Sequence, residues 1–380
     1  MTRLQGTLLL PGGAAHGSIE FGAQIERIEP GGAGVTAAGR ARAPIICPGF
    51  IDVHVHGGDG GDTMDGPEGV RTLARLHARH GTTTILPTTM TNPWPRVMAA
   101  LRGVREVMDE ERTGGPFTGT PDILGAHLEG PFISPGKLGA QPPDDLPPDP
   151  ALVAEVIALG VVKVVTLAPE LEGAVRAAQA FARAGVRVSF GHTLATAEQA
   201  GSAVDAVLAA AGTPGFTHLY NAMTQLGSRE PGVVGTALSR SDAFAELIFD
   251  RHHVHPVAFR AAVAAKPGRS LLITDAIRAT GRGDGASELG GQSVTVAGGA
   301  ARLADGTLAG SVLTMDLAVR NAVAAGLDLP AAVAMATATP ADYLGLGDRG
   351  RLAVGARADL VVLDADLNVE GVYVRGRQLA

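Results

Sequence analysis

The sequence predicts an α/β fold: a (β/α)8 TIM-like barrel carrying a small β-sandwich domain formed by both chain ends. Three observations predict it. Eight short apolar runs alternate with Ala-rich helical segments through the middle of the 380-residue chain. Histidines and acidic residues follow several of those runs at intervals that match one or two βα units. Both chain ends read as strands and Gly-rich turns without helical periodicity.

At the amino end, residues 1 to 48 place apolar runs at 8–10, 18–21 and 25–28 between Gly-rich turns. At the other end, residues 346 to 380 hold two strand-like runs, 359–364 and 372–376, able to pair with the first set. These two stretches are expected to make the small domain. Between them, residues 49 to 345 offer strands at 52–55, 82–86, 123–128, 161–167, 186–190, 216–219, 247–249 and 271–274. Parallel strands need crossover helices, and segments such as 68–80, 95–111 and 196–211 supply them. Residues 292–308 read instead as a hairpin turning at Asp305-Gly306, inserted after the eighth strand.

Hydrophobic residues make up 46% of the chain and aromatics only 4%, so Ala, Val, Leu and Ile must fill the interior. The formal charge of −7, with no dense Lys/Arg cluster, argues against a nucleic-acid or anionic-membrane surface. Cys47 is the only cysteine, which excludes an intramolecular disulfide and a Cys-rich metal site and fits a reducing compartment. It is expected to be a buried small hydrophobe. The amino-terminal apolar run breaks at Pro11-Gly12-Gly13 without a cleavage pattern, and the best candidate span, 156–168, carries Lys163. A cytoplasmic enzyme without a membrane partner is expected.

His54-Val55-His56 lies in the stretch Pro48-Gly-Phe-Ile-Asp-Val-His-Val-His-Gly57. A strand repeats every two residues, so both imidazoles emerge on one face and can grip one metal ion. Glu129, His192, His218 and Asp275 follow at intervals of 73, 63, 26 and 57 residues. Those intervals correspond to strands 1, 3, 5, 6 and 8, whose carboxyl ends build the active site of a barrel enzyme. Imidazole and carboxylate donors suit a divalent transition metal, zinc or iron first and manganese also. Glu129 can bridge two such ions, His54 and His56 holding one and His192 and His218 the other. Asp275 is then free to act as a base.

Together with His127-Leu-Glu-Gly-Pro-Phe132, Lys137-Leu-Gly-Ala-Gln141, Gly191-His192-Thr193, His218-Leu-Tyr-Asn-Ala-Met223, Arg229-Glu-Pro-Gly232, Thr274-Asp-Ala276 and Leu308-Ala-Gly-Ser311, these segments resemble the amidohydrolase superfamily. Within it the sequence is similar to the N-acetylglucosamine-6-phosphate deacetylase family over nearly the whole chain. The order of the motifs makes the resemblance specific.

The resemblance implies hydrolysis of the N-acetyl group of N-acetylglucosamine 6-phosphate to glucosamine 6-phosphate and acetate, with one or two divalent ions. Asp275 would take a proton from water and deliver it to the departing amine. The resemblance also implies that Asn221, the Ala222 backbone N–H, Arg229 and His253 bind the sugar phosphate. Because some phosphate contacts in the family cross a subunit interface, it implies a homodimer. Gln141 stands where some members carry a His that polarises the substrate carbonyl, and its amide can donate the same hydrogen bond. Members with Gln or Asn in place of the paired histidines hold one ion; this chain keeps both, which allows two.

Three rivals accompany this reading: an N-acetylgalactosamine-6-phosphate deacetylase, an amidohydrolase for cyclic amides or dipeptides, and a non-catalytic barrel. Structural roles compete at single residues. His127 shares a strand face with Glu129 and is either a partner to a ligand or interior filler. His77 and His80, among Arg71, Arg75 and Arg79, read as a solvated helix face. Arg229 can brace a loop, Asn221 can form a turn, and Arg251 is a surface residue or a further phosphate contact. Gly191 permits close backbone approach before His192.

Overall fold

The structure, a computed structural model, describes residues 1–31, 43–112 and 119–379. Period-two alternation at the amino end produces β1 (Thr2–Leu10), β2 (Gly13–Phe21) and β3 (Ile25–Pro30), an antiparallel meander. A fourth strand, β4 (Ile45–Pro48), falls outside the apolar runs read from the sequence.

Strands and helices then alternate: β5 (Phe50–Val55), α1 (Pro67–Arg79), β6 (Thr82–Pro87), α2 (Trp94–Arg112) and a divided third strand, β7 (Asp122–Ile123) with β8 (Ala126–Glu129). The pattern continues through α3 (Pro150–Leu159), β9 (Val162–Leu167), α4 (Ala174–Arg183), β10 (Arg187–Phe190), α5 (Ala197–Ala209) and β11 (Pro214–Phe216). It ends with α6 (Gly232–Ser239), β12 (Ala245–Ile248), α7 (Pro256–Ala265) and β13 (Ser270–Ile273). All eight strand positions expected between residues 49 and 345 are strands or run directly out of one.

Parallel pairing links β5 to β6, β6 to β7, β8 through β11 in order, and β12 to β13. Backbone contacts join these ladders. Thr88 bridges to His127, Phe216 N–H donates to the Phe244 carbonyl at 3.0 Å, and Asp275 N–H donates to the His54 carbonyl at 2.9 Å. A side-chain tie reinforces the last junction, since Thr274 Oγ1 donates to Asp52 Oδ2 at 2.6 Å. Both residues are buried, so that bond lies away from water.

The expected hairpin at 292–308 is part of a larger unit. β14 (Gly285–Leu289), β15 (Gln292–Ala297) and β16 (Ala300–Arg302) form an antiparallel three-stranded sheet. The turn at Asp305-Gly306 follows it and closes the Arg302–Leu308 bridge. Helix α8 (Met315–Ala324) packs next to β13.

At the carboxyl end β17 (Leu360–Leu363), β18 (Val369–Val374) and β19 (Arg377–Gln378) join the first four strands in the order β19-β18-β17-β4-β1-β2-β3. This corrects the expected two-sheet sandwich: hydrogen bonding makes one seven-stranded sheet. Sheet twist wraps it on itself, so that Phe21 and Tyr373 meet at 5.3 Å although three strands lie between theirs. Alternation gives the sheet two apolar faces. Leu8, Ile46 and Leu360 enclose a core of their own, whereas Leu9, Cys47 and Val361 join the main core. Cys47 is thus the buried hydrophobe expected of it.

Helix α1 corrects the solvated-face reading of His77 and His80. His77 is fully buried, seven residues after Val70 on the stripe that also carries Leu73 and Ala74, and its Nε2–H donates to the Gly57 carbonyl at 3.0 Å. Burial draws its pKa down to about 4 and keeps it neutral. His80 is half-buried, with Nδ1 3.1 Å from Asp316 Oδ1. Among the described residues no helix is long and apolar enough to cross a membrane.

Candidate metal centre

Strand ends bring the predicted ligands together. His54 lies within β5 and His56 follows it; Glu129 ends β8, and His192, His218 and Asp275 each stand two residues past β10, β11 and β13. The last three adopt left-handed backbone, with φ of 48°, 31° and 48°. Such values are uncommon outside glycine and cluster where a fold holds functional groups. Each turns its side chain inward just as the strand ends. At Gly191 a Cβ would lie 2.6 Å from the Thr217 Cβ, so the close approach expected before His192 does require glycine.

Glu129 is the hub. Its Oε1 lies 3.1 Å from His218 Nε2, 3.2 Å from His192 Nε2 and 3.4 Å from His54 Nε2, while its Oε2 lies 3.2 Å from His56 Nε2. Asp275 Oδ1 is 3.2 Å from His56 Nε2 and 3.6 Å from His54 Nε2. The His192 and His218 Nε2 atoms are 3.0 Å apart. Glu129 therefore joins two ligand triads, one with His54 and His56 and one with His192 and His218.

The ring protons leave acceptors facing acceptors. His192 Nδ1 lies 2.8 Å from the Lys137 carbonyl, which only accepts, so the proton sits there and Nε2 presents a lone pair. His54 Nδ1 lies 3.0 Å from Glu246 Oε2, which leaves Nε2 in the same state. Both lone pairs then point at a carboxylate that is itself an acceptor, and His54 Nε2 has no hydrogen-bond partner. A cation at this point satisfies all of them, and nitrogen with carboxylate donors suits a transition metal.

Without an ion, protons take that place. Burial works against charge on His54, but Glu129 and Asp275 outweigh it and hold the pKa well above the ordinary imidazole value. At His56 burial is likewise outweighed by Asp275 and Glu129, and the pKa is pushed up to about 9. Burial would raise both carboxylates; the neighbouring imidazoles instead hold Glu129 well below its usual range and Asp275 down at about 2.

A cavity of about 350 Å³ opens above this cluster. Gln141, Asn221, Ala222 and His253 line it, as does Lys137, which opens the Lys137–Gln141 motif but carries no role in the sequence reading. Gln141 Oε1 accepts from Thr91 N–H at 2.7 Å, which orients the amide so that Nε2 donates to Glu129 Oε2 at 2.6 Å. Asn221 Nδ2 donates to the His218 and Leu219 carbonyls, so it also forms the turn anticipated for it. His253 Nδ1 lies 2.7 Å from Asp250 Oδ2, and burial of Asp250 is outweighed by that contact, which lowers its pKa. Arg229 departs from expectation: it is exposed and is not part of the cavity wall, because its loop, 224–231, runs along the outside. Arg251 is likewise exposed, at φ 73°.

His127 is fully buried beside His54. Its Nδ1–H donates to the Val53 carbonyl at 3.0 Å and its Nε2 lies 2.8 Å from Thr166 Oγ1, so both nitrogens have hydrogen-bond partners. Its ring packs edge-on against His54, 4.5 Å between centroids. Glu246 is the residue that sequence reasoning missed. An acidic residue directly before the apolar run 247–249 was the available signal.

A model of the amidohydrolase family matches residues 45–379. An N-acetylgalactosamine-6-phosphate deacetylase of Escherichia coli O157:H7 is 41% identical over 361 residues, covering 93% of this chain and 92% of that protein. An N-acetylglucosamine-6-phosphate deacetylase of Bacillus subtilis is 41% identical over 341 residues, covering 87% and 84%. Among solved structures, a variant N-acetyl-D-glucosamine-6-phosphate deacetylase of Mycobacterium smegmatis, in complex with N-acetyl-D-glucosamine 6-phosphate, superposes with a TM-score of 0.89. It is 36% identical and covers 100% of this chain and 99% of that one.

Proposed function

The chain belongs to the amidohydrolase family, and on that premise we propose that it hydrolyses the N-acetyl group of N-acetylglucosamine 6-phosphate, releasing acetate and glucosamine 6-phosphate. The observation that carries the reading is the cluster of inward-facing imidazole lone pairs around Glu129, beneath a cavity of sugar-phosphate size. Backbone contacts from Thr88 to His127, Phe216 to Phe244 and Asp275 to His54 support closure of the eight strands into a (β/α)8 barrel, with the chain-end sheet as a second small domain.

His54, His56, Glu129, His192 and His218 would hold one or two divalent ions, zinc or iron first and manganese also. Such an ion polarises the amide carbonyl and lowers the pKa of water from about 15.7 toward 7. Asp275, kept ionised beside His54 and His56, accepts the proton of the attacking water and returns it to the amine nitrogen as the C–N bond breaks. Gln141 keeps one amide hydrogen for the substrate carbonyl while the other holds Glu129. Asn221, the Ala222 N–H and His253 face the sugar phosphate within the cavity. Arg229, on the outside, suits a homodimer in which the loop of one subunit reaches the phosphate held by its partner. The reading further places the enzyme in amino-sugar catabolism or cell-wall sugar recycling in the cytoplasm.

The Escherichia coli relative supports a second reading, in which the substrate is N-acetylgalactosamine 6-phosphate. Acetate release should be measured on both phosphorylated epimers and on unphosphorylated N-acetylglucosamine, alongside the metal content of the purified protein. Preference for the glucosamine epimer is expected. Equal turnover with and without the phosphate would sink the phosphate site, and preference for the galactosamine epimer would transfer the assignment.

A further inference from the structure

Glu246 is a buried carboxylate that the reaction as described does not use. It is 1% exposed, and its Oε1 has no hydrogen-bond partner. Its Oε2 lies 3.0 Å from His54 Nδ1 and 3.3 Å from the His218 backbone nitrogen. His54 belongs to one ligand triad around Glu129 and His218 to the other. A single carboxylate oxygen thus stands behind both halves of the centre.

Stability alone does not account for it. Removing a carboxylate from water is costly, and a half-satisfied one in an apolar strand is a poorer choice than a packed hydrophobe. Its neighbours on β12, Leu247 and Ile248, show what an ordinary core position holds there. What the carboxylate supplies is direction. An acceptor at Nδ1 fixes the ring tautomer, aims Nε2 at Glu129 and Asp275, and makes the imidazole a stronger donor to a metal. The second contact holds the left-handed backbone at His218, where the chain has just left β11.

We propose that Glu246 is a positioning residue shared by both halves of the metal centre, setting the tautomer of His54 and the backbone turn of His218. The inference rests on the reading of His54 and His218 as metal ligands. It makes the affinity for the ion held by His54 and His56 depend on a residue outside both Glu129 triads.

The test is cobalt and zinc titration of the metal-free full-length protein and of Glu246→Gln, with circular dichroism to establish folding. The glutamine keeps the shape and removes the charge. Binding of at least one equivalent should weaken about 10- to 100-fold, with a changed cobalt visible spectrum. If native protein binds cobalt and Glu246→Gln matches its affinity and spectrum, the positioning role is overturned while the metal centre stands. If native protein binds neither metal, the centre itself falls and this inference with it. Should Glu246→Gln fail to fold, histidine-selective nitrogen NMR of the zinc-loaded native protein decides, with the His54 signal assigned by its loss in His54→Asn. A proton on His54 Nδ1 is expected, and its absence overturns the proposal.

Discussion

Two charge clusters sit in different parts of the molecule and are neutralised in opposite ways. At the amino end of the third strand, Asp122 meets Arg349, Arg357 and Arg375, with Asp348 on Arg349 and Asp359 on Arg357. Three carboxylates face three guanidiniums, which stay charged at any pH the protein meets. At the other end of the strands, the ion pairs of Glu129 and Asp275 are with histidines alone among the described residues. A seam that joins the third strand to the carboxyl-terminal segment carries its own permanent counter-charge. A centre that must accept an ion leaves that charge to be supplied from outside.

The largest test of this contrast is removal of metal. A chelator should abolish acetate release, zinc should restore it, and the arginine seam should keep the protein folded throughout, as followed by circular dichroism. Retained turnover in protein shown to be metal-free would break the comparison at its active end. Next, Asp275→Asn should lower turnover by about 10²- to 10⁴-fold while metal content stays near that of the native protein. Near-normal activity would remove Asp275 as the base.

The seam should answer in stability and not in rate. Asp122→Asn removes the carboxylate that Arg349 and Arg357 share while leaving Asp348 to the one and Asp359 to the other, and should destabilise by about 1–3 kcal/mol, read as a lower melting temperature with acetate release at 25 °C little changed. Its pH dependence has a definite sign. Burial would raise the Asp122 pKa, but Arg357 and Arg349 outweigh it and hold the folded value below the ordinary one. The stabilisation is therefore present above about pH 4 and lost as pH falls through the folded value. The melting difference between native protein and Asp122→Asn should shrink below about pH 4; a constant difference would argue against the ion pairs. The smallest expected effect belongs to exposed Arg229. Arg229→Ala should raise KM for the phosphorylated substrate about tenfold with kcat little changed, the loss of one charge-assisted contact.

The centre was largely legible in the sequence. His54-Val55-His56 announces a shared strand face, and the intervals to Glu129, His192, His218 and Asp275 count off whole βα units. The phosphate set was less so. Asn221, Ala222 and His253 line the cavity, but Arg229 lies outside it, because a motif locates a residue along the chain and not the side of a loop it occupies. His77 was misread because the arginines around it suggested solvent, although its seven-residue spacing from Val70 placed it on the buried stripe.

By itself the sequence determined the alternation of strands and helices, the pairing potential of the chain ends and the order of the ligands. Those follow from periodicities of two and 3.6 residues and from repeat spacing, which are properties of neighbouring residues along the chain. Only the tertiary structure decided that one wrapped sheet replaces a sandwich, that His127 spends both nitrogens on Val53 and Thr166, and that Glu246 stands behind His54 across 192 residues. Such outcomes depend on which distant atoms meet, and on whether a buried donor finds an acceptor there, and no local pattern encodes that meeting.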